Sequence, residues 1–143
     1  MILKTHHVGI VVKDLAAAIA QYVGRFGYEI KTEIIHDPVQ TAYVQFLQLP
    51  GDPVYLELVS PDGPTSRLSN ALNRGNGLNH LCYATEDIEG AFRELRGMGL
   101  FSLRAPVPAV AFGGRRIAWL MGQDQVPIEL VETRPADHEL FGG

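Results

Sequence analysis

The sequence predicts an α+β fold made of two tandem β-α-β-β-β modules. Two observations lead to it. The chain repeats itself: HVGIVVKDLAAAI from His7 aligns with HLCYATEDIEGAF from His80, and each copy reaches an aspartate seven residues on, Asp14 and Asp87. Further along, YLELVSP around Glu57 matches PIELVET around Glu129, so His and Glu stand 50 residues apart in the first copy and 49 in the second. Two anchor pairs in register mark an internal duplication.

Each element has its own local reason. Thr5–Val12 and Asn79–Thr85 are rich in β-formers and bounded by turn residues, hence strands. Asp14 and Asp87 fit as N-caps, whose carboxylates accept from the first free N–H groups of a helix. The helices then show apolar residues at i, i+3 and i+4: Leu15, Ala18, Ile19 and Tyr22, then Ile88, Ala91, Phe92 and Leu95. Gly27 and Gly99 stand where these helices end. Short strands follow: Glu29–Ile35, Thr41–Leu49 and Val54–Val59 in the first module, Phe101–Leu103, Arg116–Met121 and Ile128–Val131 in the second. RAPVPAVAFGG reads as a long loop because of its proline and glycine content.

With 143 residues, 46% apolar and 20% charged, the chain has the size and composition of one compact domain over 1–143. Within it lie a first module at about 4–60, a Pro/Gly/Ser/Asn-rich linker at 61–78, a second module at about 79–133 and a tail at 134–143. Twelve Lys and Arg against 16 Asp and Glu give a net charge of −4. No nucleic-acid partner is expected, since that affinity rests on neutralising phosphates. No membrane partner is expected either: a polybasic anchor is absent, and no run approaches the roughly 18 apolar residues of a spanning helix. The single Cys82 excludes an intramolecular disulfide and any multi-cysteine metal cluster. Without a signal-peptide pattern, the expected compartment is a reducing cytoplasm.

Four residues stand at matching places: His7 and His80 on the first strands, Glu57 and Glu129 on the last. With a strand period of two, His7 shares a face with Gly9 and Val11, His80 with Cys82 and Ala84, Glu57 with Tyr55 and Val59, and Glu129 with Pro127 and Val131. Taken singly, a strand His is a core residue bonded to a carbonyl and a strand Glu lies on a solvated face. Taken as a repeated set, two imidazoles and two carboxylates in apolar surroundings supply the ligands of a divalent cation, which buried carboxylates require. His6 points away from His7 and reads as surface, while His36 and His138, in a turn and in the tail, fit no ligand spacing. Arg115 and Arg116 follow two glycines. Either one of them faces a cavity and holds a carboxylate or phosphate, or both are solvated. Cys82 reads as a small core residue on the His80 face. Trp119, Tyr43, Phe46 and Phe112 either wall a ligand cavity or fill the core.

The strings HHVGIVVKDL, LELVSP, GLNHLCYATEDIE and IELVE resemble the vicinal oxygen chelate superfamily over nearly the whole chain. That resemblance implies paired βαβββ modules forming a half-barrel around one divalent metal ion, with His7, Glu57, His80 and Glu129 on the four ligand positions. Carboxylate and imidazole without thiolate suit Co, Mn, Ni, Fe, Mg or Zn. Within the superfamily, GLNHLCYATEDIEGAFRELRGMG is similar to methylmalonyl-CoA epimerases. A His/Glu/His/Glu set also serves the bacterial glyoxalase I (lactoylglutathione lyase) branch, although glutathione contacts are not recognisable here.

The resemblance also exposes departures. The epimerases carry a glutamate just before the strand that starts here near Thr41, a candidate proton-transfer base. This chain reads DPVQT, with Val39 or Gln40 at that place. Asn79 replaces a histidine, and the PVPAVAFGGRR loop is longer. The implied reaction is a proton abstraction α to a carbonyl of an acyl thioester or related small-molecule substrate, epimerising or isomerising it. Glu129 loosening from the metal is the candidate base, with a metal-bound hydroxide as the alternative. Gln40, Arg115 and Arg116 are the candidate substrate-binding residues, and a homodimer is the expected assembly. The alternatives are a glyoxalase-type lyase and a non-catalytic antibiotic- or metabolite-binding protein. The second carboxylate counts against an Fe²⁺ dioxygenase, which uses two His and one carboxylate.

Overall fold

The computed structural model describes residues 1–73 and 77–137, with Leu78 described by its backbone alone. Its contacts separate into two compact units, His7–Asn79 and Met1–His6 with His80–Gly143. Strand β1 (Lys4–Val11) leads into helix α1 (Leu15–Phe26), strands β2 (Glu29–Ile30), β3 (Ile35–Asp37), β4 (Ala42–Gln48) and β5 (Tyr55–Pro61), and the short helix α2 (Ser69–Asn73). Strand β6 (Gly77–Thr85), helix α3 (Ile88–Gly97) and strands β7 (Phe101–Pro108), β8 (Arg116–Met121) and β9 (Pro127–Glu132) follow. No described helix is long and apolar enough to cross a membrane.

The same pairing pattern builds both units. In His7–Asn79, β1 runs parallel to β5, β5 antiparallel to β4, and β4 antiparallel to both β2 and β3. In the other unit β6 runs parallel to β9, β9 antiparallel to β8, and β8 antiparallel to β7. Asp14 and Asp87 cap the helices as expected, accepting from Ala17 N and Gly90 N at 3.0 Å each. Gly27 closes α1 in the left-handed region at φ 78°, which glycine adopts without a Cβ clash.

Helix and sheet meet through alternate strand positions. Leu15, Ala18, Ile19 and Tyr22 of α1 pack on Leu47, Leu56, Leu58 and Val12. Ile88, Ala91 and Phe92 of α3 pack on Ala118, Leu120 and Leu130. A buried leucine of this kind contributes roughly 1.5–3 kcal/mol. The period of two then turns the intervening residues to the sheet face away from the helix: Phe46, Glu57 and His7 in one unit, Trp119, Glu129 and His80 in the other.

Several expectations are corrected. The strand expected over Glu29–Ile35 is two strands, because Thr32 interrupts the ladder with its side chain: Thr32 Oγ1 accepts from Phe46 N at 3.2 Å, and Gln45 Nε2 donates to Thr32 O at 2.7 Å. His36 therefore lies in β3 rather than in a turn. RAPVPAVAFGG is not one loop: β7 continues through Pro106 to Pro108, and Val110–Phe112 forms a 3-10 turn. Proline is tolerated there because β7 is an edge strand with register shifts on both sides of Arg104. The stretch read as linker contains α2, and β6 begins earlier than expected, at Gly77.

Candidate metal-binding residues

In the first unit the parallel register sets Gly9 opposite Glu57, and Phe46 stands opposite Glu57 on the other side. His7 is one inward-facing position from Gly9, which brings its Nε2 to 3.7 Å from Glu57 Oε1. The second unit repeats the arrangement: Cys82 and Trp119 flank Glu129, and His80 Nε2 lies 3.4 Å from Glu129 Oε1. Relative exposures are 0% for His7, 6% for Glu57, 3% for His80 and 3% for Glu129, so all four polar groups are withdrawn from water.

An aromatic ring meets each imidazole edge to face. Phe46 lies 5.2 Å from His7 at 79°, and Trp119 lies 4.8 Å from His80 at 73°. Each ring sits on the strand beside its carboxylate, so the duplicated register places His, Glu and aromatic residue together twice over. Cys82 occupies the place of Gly9 and is fully buried, as a core thiol should be.

The donor chemistry fits a divalent cation. Each unit brings an imidazole nitrogen and a carboxylate oxygen to 3.4–3.7 Å, longer than an N–H···O bond of roughly 2.7–3.2 Å. It is close to the roughly 3.0–3.4 Å expected between two ligands that each lie about 2.1 Å from one ion. A buried carboxylate also costs several kcal/mol unless a cation balances it.

The other candidate residues are placed differently. Arg115 precedes β8 rather than lying in it. It is buried, with Nε donating to Asp137 Oδ2 at 3.0 Å, Nη2 to the other Asp137 oxygen and Nη1 to Phe112 O at 2.9 Å. Arg116 opens β8 and pairs with Glu132, while its Nη1 donates to Glu89 Oε1 at 2.7 Å. Arg115 is therefore not solvated, and both arginines are matched by carboxylates of their own unit. The hydrogen bond to Asp137 raises the Arg115 pKa and holds the Asp137 carboxyl below its usual value. At Glu132 burial pushes upward, but hydrogen bonds from Arg116 prevail and hold the carboxyl low.

Gln40 is half-buried in the turn between β3 and β4, where its backbone N–H donates to Asp37 Oδ1 at 3.1 Å. Val39 is exposed. His6 is not a surface residue: it is half-buried, edge to face with Phe112 at 5.7 Å. His36 Nε2 lies 2.9 Å from Asp62 Oδ2 and packs on Tyr43. His138 lies outside the described residues. Asp37, which accepts from Gln40 N, and Asp137, which pairs with Arg115, belong to no sequence motif, because each acts through a partner that periodicity does not reveal.

Residues 6–119 match the Glyoxalase/Bleomycin resistance protein/Dioxygenase superfamily. The chain belongs to this superfamily. Among its relatives, the ethylmalonyl-CoA/methylmalonyl-CoA epimerase of Cereibacter sphaeroides is 33% identical over 126 residues, which cover 87% of this chain and 92% of that protein. The mitochondrial methylmalonyl-CoA epimerase of Homo sapiens is 30% identical over 112 residues, covering 77% of this chain and 62% of that protein. The α+β fold is shared with the solved methylmalonyl-CoA epimerase from Mycobacterium tuberculosis. The two have a TM-score of 0.76 and 29% identity, covering 92% of this chain and 88% of that one. A Streptomyces coelicolor methylmalonyl-CoA epimerase solved with 2-nitronate-propionyl-CoA gives a TM-score of 0.79 at 26% identity, covering 91% of this chain and 96% of that one.

Proposed function

We propose that this protein is a metal-dependent epimerase that abstracts the proton α to the carbonyl of an acyl-CoA thioester of the methylmalonyl type. The observation that carries the proposal is the duplicated pair of buried His and Glu, His7 with Glu57 and His80 with Glu129, in a chain one-third identical to an ethylmalonyl-CoA/methylmalonyl-CoA epimerase.

His7, Glu57, His80 and Glu129 are the residues that would hold one divalent ion. Bound there, such an ion polarises the substrate carbonyl and stabilises the negative charge that develops when the α-proton leaves. Glu129, once loosened from the ion, is the base: the α C–H bond breaks, its proton passes to a Glu129 oxygen and its electron pair to the thioester oxygen as an enolate. A water on the far side gives a proton to the opposite face of the α-carbon, its hydroxide then taking the proton from Glu129. Phe46 and Trp119 hold the imidazoles and keep water from the carboxylates. Gln40 offers an amide N–H to a substrate oxygen. A substrate role for Arg115 or Arg116 requires exchange of Asp137, Glu132 or Glu89 for the ligand's anion. The active assembly is a homodimer, which light scattering would report as about twice the chain mass of 15.7 kDa.

The test is elemental analysis of protein purified without chelators and again after loading with Co²⁺ or Mn²⁺, followed by α-proton exchange of methylmalonyl-CoA in D₂O. About one metal per chain, lost in Glu57→Ala/Glu129→Ala, together with deuterium uptake at the α-carbon, supports the proposal. Metal-free protein under both conditions sinks it. Turnover of a glutathione hemithioacetal in place of the thioester assigns the chain to the glyoxalase reaction instead.

A further inference from the structure

Each unit carries a cation at the same place beside its carboxylate. In His7–Asn79, Phe46 stands opposite Glu57, and Lys31, just past β2, donates its N–H to Phe46 O at 2.9 Å. In the other unit Trp119 stands opposite Glu129, and the β7–β8 register sets Arg104 opposite Trp119. Directly opposed residues of antiparallel strands point to one face, so Arg104 shares the face of Trp119, Glu129 and His80, away from α3. An unbroken period of two would put Pro106 there as well. The register shift between Arg104 and Val107 separates them: Pro106 joins Phe92 and Arg93 in a groove beside α3, and Arg104 stays on the carboxylate's face.

The two cations differ in what answers them. Lys31 is exposed, and its Nζ lies 3.2 Å from Glu29 Oε2. Arg104 is half-buried, and among the described residues its guanidinium meets no hydrogen-bond or ion-pair partner. The other described arginines that are not exposed, Arg115 and Arg116, each hold a carboxylate. A guanidinium presents five N–H donors in a rigid fork that matches the paired oxygens of a carboxylate or phosphate. Withdrawing it from water without such a partner is a cost. Arg104 thus keeps a charge on this face that its own unit leaves unmatched. Two strand spacings put the Arg104 and Glu129 backbones roughly 10 Å apart, and their side chains rise from the same face. An anionic group on a substrate held at Glu129 comes within reach of the fork.

We propose that Arg104 is a substrate-binding residue whose guanidinium takes an oxyanion of the acyl-CoA, either the carboxylate of its acyl group or a phosphate of the CoA. The inference rests on the epimerase reading above. Arg104 supplies affinity and leaves the proton transfer alone. Losing a hydrogen-bonded charge partner of this kind weakens binding about tenfold or more.

The test uses full-length metal-loaded wild type, Arg104→Gln and Arg104→Lys. Calorimetry gives Kd for racemic methylmalonyl-CoA, for propionyl-CoA, which lacks the carboxylate, and for methylmalonyl-pantetheine, which lacks the CoA phosphates. α-Proton exchange in D₂O gives KM and kcat. In Arg104→Gln, methylmalonyl-CoA should bind about tenfold or more weakly, with KM raised alike and kcat within about twofold of wild type. Arg104→Lys, which keeps the charge without the fork, should fall between. A carboxylate partner leaves propionyl-CoA binding unchanged and weakens methylmalonyl-pantetheine, whereas a phosphate partner does the reverse. Wild-type affinity in Arg104→Gln, or equal weakening of all three ligands, overturns the assignment. A change of light-scattering mass in Arg104→Gln places the arginine in a subunit contact and also overturns it. Wild-type protein that neither binds nor turns over methylmalonyl-CoA overturns the epimerase reading, and the role of Arg104 with it.

Discussion

The indole of Trp119 meets the imidazole of His80 edge to face, with centroids 4.8 Å apart, directly beside the carboxylate that His80 approaches. Phe46 does the same for His7. Edge-to-face pairs are worth roughly 0.5–1.5 kcal/mol beyond their burial and fix the ring's rotation. Trp119→Phe should therefore retain divalent-metal binding. Trp119→Ala should weaken it about tenfold or more, since residues that orient a ligating imidazole carry effects of that size. Calorimetric titration with Co²⁺ on variants shown by circular dichroism to be folded checks this. Equal affinities for Phe and Ala would remove the ring from that role.

Buried Glu57 gives opposite signs with and without metal. In metal-free protein a carboxylate in an apolar setting is a cost, so Glu57→Gln should leave the melting temperature unchanged or raise it. With Co²⁺ at about 100 times its Kd, wild type gains about 2.7 kcal/mol from binding, and the variant should lose most of that gain. Thermal melts with and without Co²⁺ should cross, and melts in which Glu57→Gln is the less stable in both conditions contradict the prediction.

Glu129→Gln keeps the shape of the side chain and removes the proposed base. α-Proton exchange of methylmalonyl-CoA in D₂O should fall about 10²-fold or more, the usual contribution of a positioned base. Exchange at the wild-type rate with metal still bound would assign the proton transfer to another group.

The Arg115–Asp137 pair makes the end of the described chain sensitive to acid. Arg115 holds the Asp137 carboxyl below the ordinary value of 3.8. Its contribution is thus fully present above the unfolded value and is lost as pH falls through the lowered folded one. Amide protection at Arg134–Asp137 should therefore hold at neutral pH and collapse only below about pH 4. In Arg115→Met it should already be weak at pH 7. Hydrogen exchange followed by mass spectrometry over that range distinguishes the two.

Helix α3 offers a coupled pair. Asp87→Ala should cost about 1 kcal/mol as its cap is lost. Gly90→Ala should not deliver the usual helix gain, because a Cβ at position 90 would sit 2.2 Å from Asp87 Oδ2. With Asp87 already replaced, the same Gly90→Ala should stabilise by up to about 1 kcal/mol. Urea unfolding of the four proteins of the cycle measures the coupling.

Local chemistry made much of this molecule legible from the sequence. The duplication, the caps at Asp14 and Asp87, the apolar stripes of α1 and α3, and the sharing of one strand face by His80 and Cys82 follow from periods of 2 and 3.6 and from a side chain reaching an amide three residues away. The tertiary structure decided what depends on partners remote in the chain. Proline-rich β7 is a strand because it lies at an edge, Thr32 splits a strand by bonding across to β4, and Arg115 and Arg116 meet Asp137, Glu132 and Glu89. Thr41, held in the left-handed region at φ 56°, answers to Ser66 and Arg67, 25 and 26 residues on. Periodicity tells which way a side chain points, whereas the group it meets is set by which strands and loops pair, a choice made by the whole chain.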